Sequence, residues 1–365
     1  MAKKKILHIS QATGGVKTYV AHILNYVDSN SYEFVVIAPA DVIFEKFCKD
    51  RSIRYYQLDL ERGNNPLKNV RILSKLITII KKEKPDIIHA HSAKGGFLGR
   101  VASRFTGSKI IYTPHAFSYL PFTGVNRTIF YLLELMARKW TTSLLAISHS
   151  EANRAIYELG YKKNQVKVIL NSIPVNGTPI NLQSDHALKI RMVGRLTSQK
   201  NHMLFLEIAD ILLKKYPDLE FAVLGAGIHD DLAAEIDSFI ANNKLENNVH
   251  IIHWGDTEIS KKFLEETDIF IMTSVFEGLP FSLLEAMSLG KPCVVSKVDG
   301  NTDVINNSEN GFACLSVEEF CEKIELLIND PVLRIKLGMA GYEYVKSKHS
   351  IEKNALQLEK IYANM

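Results

Sequence analysis

The sequence predicts an α/β protein made of two Rossmann-like, doubly wound parallel sheets, each forming its own domain. Three observations carry that expectation. The chain has 365 residues, more than one ordinary core accommodates, and its 46% hydrophobic and 23% charged content is that of a folded globular protein. Short apolar, β-rich runs alternate with segments whose apolar residues recur at three and four, the pattern of parallel strands covered on both faces by helices. The alternation stops at PVNGTPINLQSD, residues 174–185, and then begins again.

In the first half the expected strands are KKILHIS, EFVVIAP, IRYYQLD, DIIHAHS, KIIYTPH and SLLAIS, with helices such as PLKNVRILSKLITIIKKEK between them. The interruption has two prolines, a glycine and polar residues, and reads as a linker. LKIRMVGRL, LEFAVLGAG, NVHIIHWGD, DIFIMTS and PCVVSKV then supply a second sheet, with NHMLFLEIADILLKKY among its helices. The expected domains are 1–175 and 188–345, joined by a linker at 176–187. A C-terminal helix within 346–365 is free to return to the first domain. Two such domains are expected to face each other across a cleft at the carboxyl ends of their strands, where open α/β sheets bind ligands.

MAKKKILHIS runs from lysines straight into a strand, and no stretch reaches about 18 uninterrupted apolar residues, so the expectation is a cytoplasmic protein that does not span a membrane. Cys48, Cys293, Cys314 and Cys321 show no CxxC spacing and read as buried free thiols. The overall charge of +4 hides an asymmetry. Residues 1–175 carry 26 Lys+Arg and 12 Asp+Glu, net +14, and the remainder 18 and 28, net −10. The first half therefore either faces something anionic, such as phosphate or a membrane surface, or is simply a solvated basic surface. Within it, AFSYLPFTGVNRTIFYLLELMARKW, residues 116–140, mixes aromatic and aliphatic residues with Arg127, Arg138, Lys139 and Trp140. It reads either as a core-packed helix or as a segment lying on a membrane, and the two readings are compatible.

The sharpest chemical signal is SVFEGLPFSLLEAMSLGKP, residues 274–292, where two carboxylates, Glu277 and Glu285, stand eight positions apart among apolar and small residues. A carboxylate in such surroundings needs hydrogen-bond donors from the protein or from a ligand. Read locally, DIFIMTS is a strand, Glu277–Pro280 a loop and FSLLEAMSLG a helix started by proline and ended by Gly290. Glu277 then lies off the helix beside the amides of Gly278 and Leu279, which with the helix amino terminus form an anion-accepting surface. Glu285 lies between one and two turns into the helix. A ligand with an anionic middle and hydroxyls at each end satisfies both, as a nucleotide sugar does. The structural alternative is that Glu277 caps a neighbouring helix and Glu285 pairs with Lys291.

EGLPFSLLEAMSLGKP resembles the E-x7-E signature of the retaining glycosyltransferases of family 4, which carry two Rossmann-like domains in the GT-B arrangement. VGRLTSQKNH, 193–202, resembles that family's segment of cations on the donor diphosphate, which implies that role for Arg195 and Lys200. An Arg and a Lys at a strand end neutralise two phosphates without a metal. YTPHAF, 112–117, resembles the segment that supplies a histidine near the transferred sugar, implying that role for His115, although the family's usual glycine is Ala116 here. QATGGVKTYV, 11–20, matches a glycine-rich turn in which Gly14 and Gly15 let amides approach a phosphate or acceptor. HIIHWGD, 250–256, matches the strand end that meets the base, with His253 and Trp254 near it. VDGNTDVI, 298–305, matches a glycine-rich loop whose usual glutamate is Asp303 here.

The chain has no Asp-x-Asp pair of the kind that holds a divalent metal in the other large glycosyltransferase architecture. The glycines at 225 and 227 begin a dinucleotide fingerprint, but the third position is Asp230, which removes most of the case for a dehydrogenase. The resemblance thus implies retaining, metal-independent, hexosyltransferase-type transfer, with no cofactor and no nucleic-acid partner. A uridine-diphosphate donor is expected ahead of a guanosine one. The expected acceptor is a hydroxyl of a lipid-linked glycan in capsule or exopolysaccharide synthesis, at the inner face of the membrane. Two other functions remain open on the residues alone: a nucleotide-sugar epimerase or hydrolase, and a non-catalytic sugar-nucleotide-binding subunit.

Overall fold

The structure is a computed structural model describing residues 3–11, 14–60, 66–175, 179, 187–226, 232–253 and 257–365. Trp254 and most of the expected linker at 176–187 lie outside the described residues. The chain divides into two compact units, Met1–Asn171 with Ile351–Met365, and Ser172–Ser350.

The first unit is a parallel sheet of seven strands, β1 Lys4–Ile9, β2 Tyr32–Ala38, β3 Arg54–Gln57, β4 Ile87–His91, β5 Lys109–Thr113, β6 Ser143–Ala146 and β7 Val166–Val168, in the order β3-β2-β1-β4-β5-β6-β7. Parallel neighbours need a crossover, and helices supply it: α1 Gly14–Tyr26, α2 Val42–Asp50, α3 Pro66–Glu83, α4 Ala93–Thr106, α5 Gly124–Arg138 and α6 His149–Asn153. Strand order reverses between β1 and β4, so the carboxyl ends of those strands open the crevice where doubly wound sheets bind ligands. Helix α4 lies so close to the sheet that a Cβ at Gly96 would stand 2.2 Å from the Tyr112 ring. The C-terminal helix Ile351–Ala363 belongs to this unit: Lys4 Nζ donates to the Tyr362 carbonyl at 2.7 Å, and Tyr32 Oη donates to that of Glu359 at 2.9 Å.

The second unit is a parallel sheet of six, β8 Lys189–Val193, β9 Glu220–Ala226, β10 Val249–His253, β11 Ile269–Met272, β12 Cys293–Ser296 and β13 Phe312–Cys314, ordered β10-β9-β8-β11-β12-β13. Its helices are α7 His202–Leu213, α8 Ala233–Asn242, α9 Thr257–Glu265, α10 Phe281–Ser288, α11 Val317–Asn329 and α12 Pro331–Lys348. The reversal here falls between β8 and β11. Helix starts follow their capping chemistry: Ser316 accepts from Glu319 N before α11, and Asp330 accepts from Leu333 N before Pro331 opens α12. Because α12 runs unbroken to Lys348, the second unit extends to Ser350, beyond the expected boundary at 345. Edge strands β7 and β13, three residues each, extend both sheets past the strands read from sequence. All four cysteines are free and buried.

Candidate functional site

In the second unit the segments leaving β8 and β11, the two strands at the order reversal, are bound to each other. Val275 N donates to the Gln199 carbonyl at 2.8 Å, Gln199 Nε2 to the Phe276 carbonyl at 3.1 Å, and Thr273 Oγ1 reaches the carbonyls of Lys200 and Asn201, both at 2.9 Å. Two glycines permit the crowding. A Cβ at Gly225 would lie 1.9 Å from the Gly194 carbonyl oxygen, and one at Gly300, whose φ is +80°, 2.7 Å from that of Gly278. The Gly300 loop is closed by Asp303, whose Oδ2 accepts from Gly300 N at 3.1 Å. Asp303 is therefore a loop brace.

This frame holds Glu277, buried, with Lys200 Nζ 2.6 Å from its Oε1. The lysine stem lies over Gly194, where a Cβ would meet Lys200 Cδ at 3.1 Å. Lys200, expected on a diphosphate, is an ion-pair partner of Glu277. An ammonium has three donors, so two remain for a ligand. Arg195 lies two residues beyond β8 in the same loop. Glu277 does not cap the following helix: α10 starts at Pro280 without a side-chain cap, and it ends ahead of Gly290, whose φ is +74°.

Glu285, on α10, is partly exposed, and no donor among the described residues reaches its carboxylate. The alternative pairing with Lys291 is ruled out, because Lys291 is buried with Nζ donating to the Glu265 carbonyl at 2.7 Å. Desolvation pushes the Glu285 carboxyl up to about 7. Near neutral pH it is poised to ionise once hydroxyl donors arrive.

In the first unit, His115 follows β5, with φ +54°, and Ala116 follows it at φ +79°. The position where the resemblance has glycine is thus a left-handed one that alanine occupies under strain. Buried Glu151 holds it, Oε1 accepting from Ala116 N at 2.9 Å and Oε2 from Ile147 N at 2.9 Å. Tyr19 packs edge-on against the His115 ring at 4.7 Å. Gly14, φ +54°, and Gly15 begin α1 after β1, near the same strand reversal. Sequence reasoning passed over His8, His89, His91 and Glu151. A signal was present, since histidines at 89 and 91 share one face of a strand.

Among the described residues, the one cluster of three or more potential metal ligands is His8, His89 and His91, with ligand atoms within 4.8 Å of one another. Both nitrogens of His89 are already engaged, by Tyr362 Oη at 2.7 Å and Thr113 Oγ1 at 2.9 Å. The group is a hydrogen-bonded histidine core. A cavity of about 720 Å³ lined by Lys4, Lys84, Asp86 and Lys109 lies at the amino ends of the first sheet's strands, away from the reversal crevice.

Comparison with known proteins identifies the units. Residues 13–176 match the family described as Glycosyltransferase Family 4, and residues 180–344 the one described as Glycosyl transferases group 1. Both halves of the chain are glycosyltransferase domains. An Escherichia coli UDP-Gal:alpha-D-GlcNAc-diphosphoundecaprenol alpha-1,3-galactosyltransferase is 26% identical over the whole of this chain and 98% of its own length. The capsular polysaccharide biosynthesis glycosyltransferase CapM of Staphylococcus aureus is 27% identical over 80% of each chain. Anabaena HepE, solved with UDP and glucose, superimposes with a TM-score of 0.82 at 18% identity, covering all of both chains. The fold is that of the GT-B glycosyltransferases, and one relative, CapM, is by its name an enzyme of capsular polysaccharide biosynthesis.

Proposed function

We propose that the chain is a retaining, metal-independent glycosyltransferase that moves a hexose from a uridine-diphosphate sugar to a hydroxyl of a lipid-linked glycan during cell-surface polysaccharide synthesis. The observation that carries this reading is the Lys200–Glu277 ion pair at the strand reversal of the group 1 domain, with Glu285, which no donor among the described residues reaches, eight positions beyond Glu277 on the same loop-and-helix segment. The names of the relatives add the donor and acceptor classes.

In this reading Arg195, the free donors of Lys200 and the amides of Gly278 and Leu279 stabilise charge on the departing diphosphate, the larger part of the rate enhancement. Glu277 orients the sugar and Glu285 takes the ribose hydroxyls. His115 hydrogen-bonds the transferred sugar. The bond from the anomeric carbon to the diphosphate oxygen breaks, the acceptor oxygen bonds to that carbon on the same face, and the leaving phosphate takes the acceptor's proton. Trp254 and His253 are assigned to the base, and Gly14 and Gly15 to backbone approach on the donor phosphate or the acceptor. The direct test is the anomeric configuration of the product.

The acceptor reading has a surface to support it. On α5, Glu134 and Ala137 are buried, while Val125, Ile129, Leu132 and Met136 are 75%, 48%, 55% and 41% exposed at spacings of four, three and four. That is one apolar stripe along the outer face, flanked by exposed Arg127 and Lys139 on the unit of net positive charge. The helix is thus both core-packed and apolar outward. No helix among the described residues is long and apolar enough to cross a membrane. We assign the stripe to an anionic bilayer surface at the cytoplasmic face, apolar residues in the acyl boundary and cations on lipid phosphates. The protein should co-sediment with vesicles containing phosphatidylglycerol at low salt and be partly released at high salt. The pair Ile129→Glu and Leu132→Glu should abolish this. Absence of wild-type binding at every salt concentration contradicts the assignment.

A further inference from the structure

Three histidines of the first unit form a hydrogen-bonded line that ends at His115. His8 is on β1 and His91 on β4, neighbouring strands whose register sets His8 against His89. His8 Nδ1 lies 3.0 Å from His91 Nε2, and His91 Nδ1 lies 3.3 Å from His115 Nε2. Both nitrogens of the middle ring are therefore bonded to other imidazoles. His89 stacks on His91 with centroids 4.1 Å apart but stands outside the line, its nitrogens held by Tyr362 and Thr113.

Proton counting constrains such a line. A neutral imidazole has one N–H and one bare nitrogen, and each N···N bond needs one proton. Burial lowers the pKa of all four rings, that of His8 and His115 to about 3, so they are neutral at physiological pH. Three protons then occupy two bonds and one of the two outer nitrogens, so the rings share one tautomer, all Nδ1–H or all Nε2–H. The outer nitrogen at the buried end, His8 Nε2, has no hydrogen-bond partner among the described residues. A proton there would bury an orphan N–H, the rarer of the two kinds of unsatisfied group. The all-Nδ1–H arrangement avoids it.

We propose that His8 and His91 are positioning residues that lock His115 in its Nδ1–H tautomer, so that it presents a donor to its ligand. That the ligand is the transferred sugar rests on the function proposed above; the lock itself does not. His91 passes the constraint from a buried ring without a ligand role to one at the carboxyl end of the sheet. The side chain at the site thus has its donor–acceptor character set two rings away.

The test is nitrogen-15 NMR of the ligand-free, histidine-labelled protein, with resonances assigned by single His→Gln variants, because protonated and bare ring nitrogens give well-separated signals. The expected result is that His8, His91 and His115 are all Nδ1–H. An Nε2–H tautomer or an imidazolium at any of the three overturns the proposal. In His91→Phe the line is cut, and His115 should change from one tautomer to an exchanging mixture; an unchanged His115 signal in a folded His91→Phe also overturns it. If that variant fails to fold, the wild-type pattern decides alone. Failure of the sugar-transfer reading would appear in the transfer assay and leave these spectra unaltered.

Discussion

Glu277→Gln should lower kcat/KM by about 10²–10³-fold, the loss that follows removal of one preorganised electrostatic contact at a reacting centre. The substitution keeps the shape and one acceptor oxygen but removes the negative charge facing Lys200 at 2.6 Å. It has a second effect. Lys200 is 14% exposed in its side chain and loses its counter-ion, so stability should fall by about 1–3 kcal/mol. Lys200→Met combined with Glu277→Gln removes the unpaired charge. It should recover most of that stability while recovering none of the activity, since two ligand contacts are then gone. Steady-state kinetics and thermal unfolding on the wild type and both variants separate the roles. Near-wild-type kcat/KM in folded Glu277→Gln contradicts a part in transfer.

The largest effect on stability is expected far from that chemistry. Arg100 is fully buried on α4, with its Nη2 2.8 Å from Glu134 Oε2, its Nε donating to the Gly96 carbonyl at 3.0 Å and its guanidinium 3.7 Å from the centre of the Tyr112 ring. Glu134 also accepts from Tyr112 Oη at 3.1 Å and Ser118 Oγ at 2.8 Å. Glu134→Leu leaves a buried guanidinium without its counter-charge, a defect that costs about 3–5 kcal/mol. The pair Arg100→Met with Glu134→Leu removes both charges, and a buried pair replaced by apolar groups is often near neutral, so it should restore most of the loss. Urea unfolding of the three forms measures this. A loss under about 1 kcal/mol in Glu134→Leu would mean that the pair is solvated in the native state.

Both sheets were legible in the sequence because continuous apolar runs between helical periodicities leave few alternatives for a chain of this length. Edge strands β7 and β13 were not, since three residues are too few for a period to register. The placement of Glu277 off the helix was legible from Pro280 and Gly290. Its partner was not: Lys200 is 77 positions away, and only the reversal of strand order brings the two loops together. The same holds for Glu151, 35 positions from the Ala116 amide it clamps, which explains how alanine holds a left-handed position that glycine would occupy freely. The histidine line went unread because in DIIHAHS the alternation that marks a strand treats histidine as merely polar. Its meaning depends on His8 from another strand.

The central claim is that the Glu277 segment serves retaining, metal-independent transfer, and the configuration of the product tests it most directly. With a UDP-hexose and a polyprenyl-diphosphate-linked sugar acceptor in the presence of EDTA, proton NMR of the purified product should show the donor's own anomeric configuration, at a rate that added divalent ions leave unchanged. An inverted anomeric centre, or transfer that stops when divalent ions are removed, would contradict it.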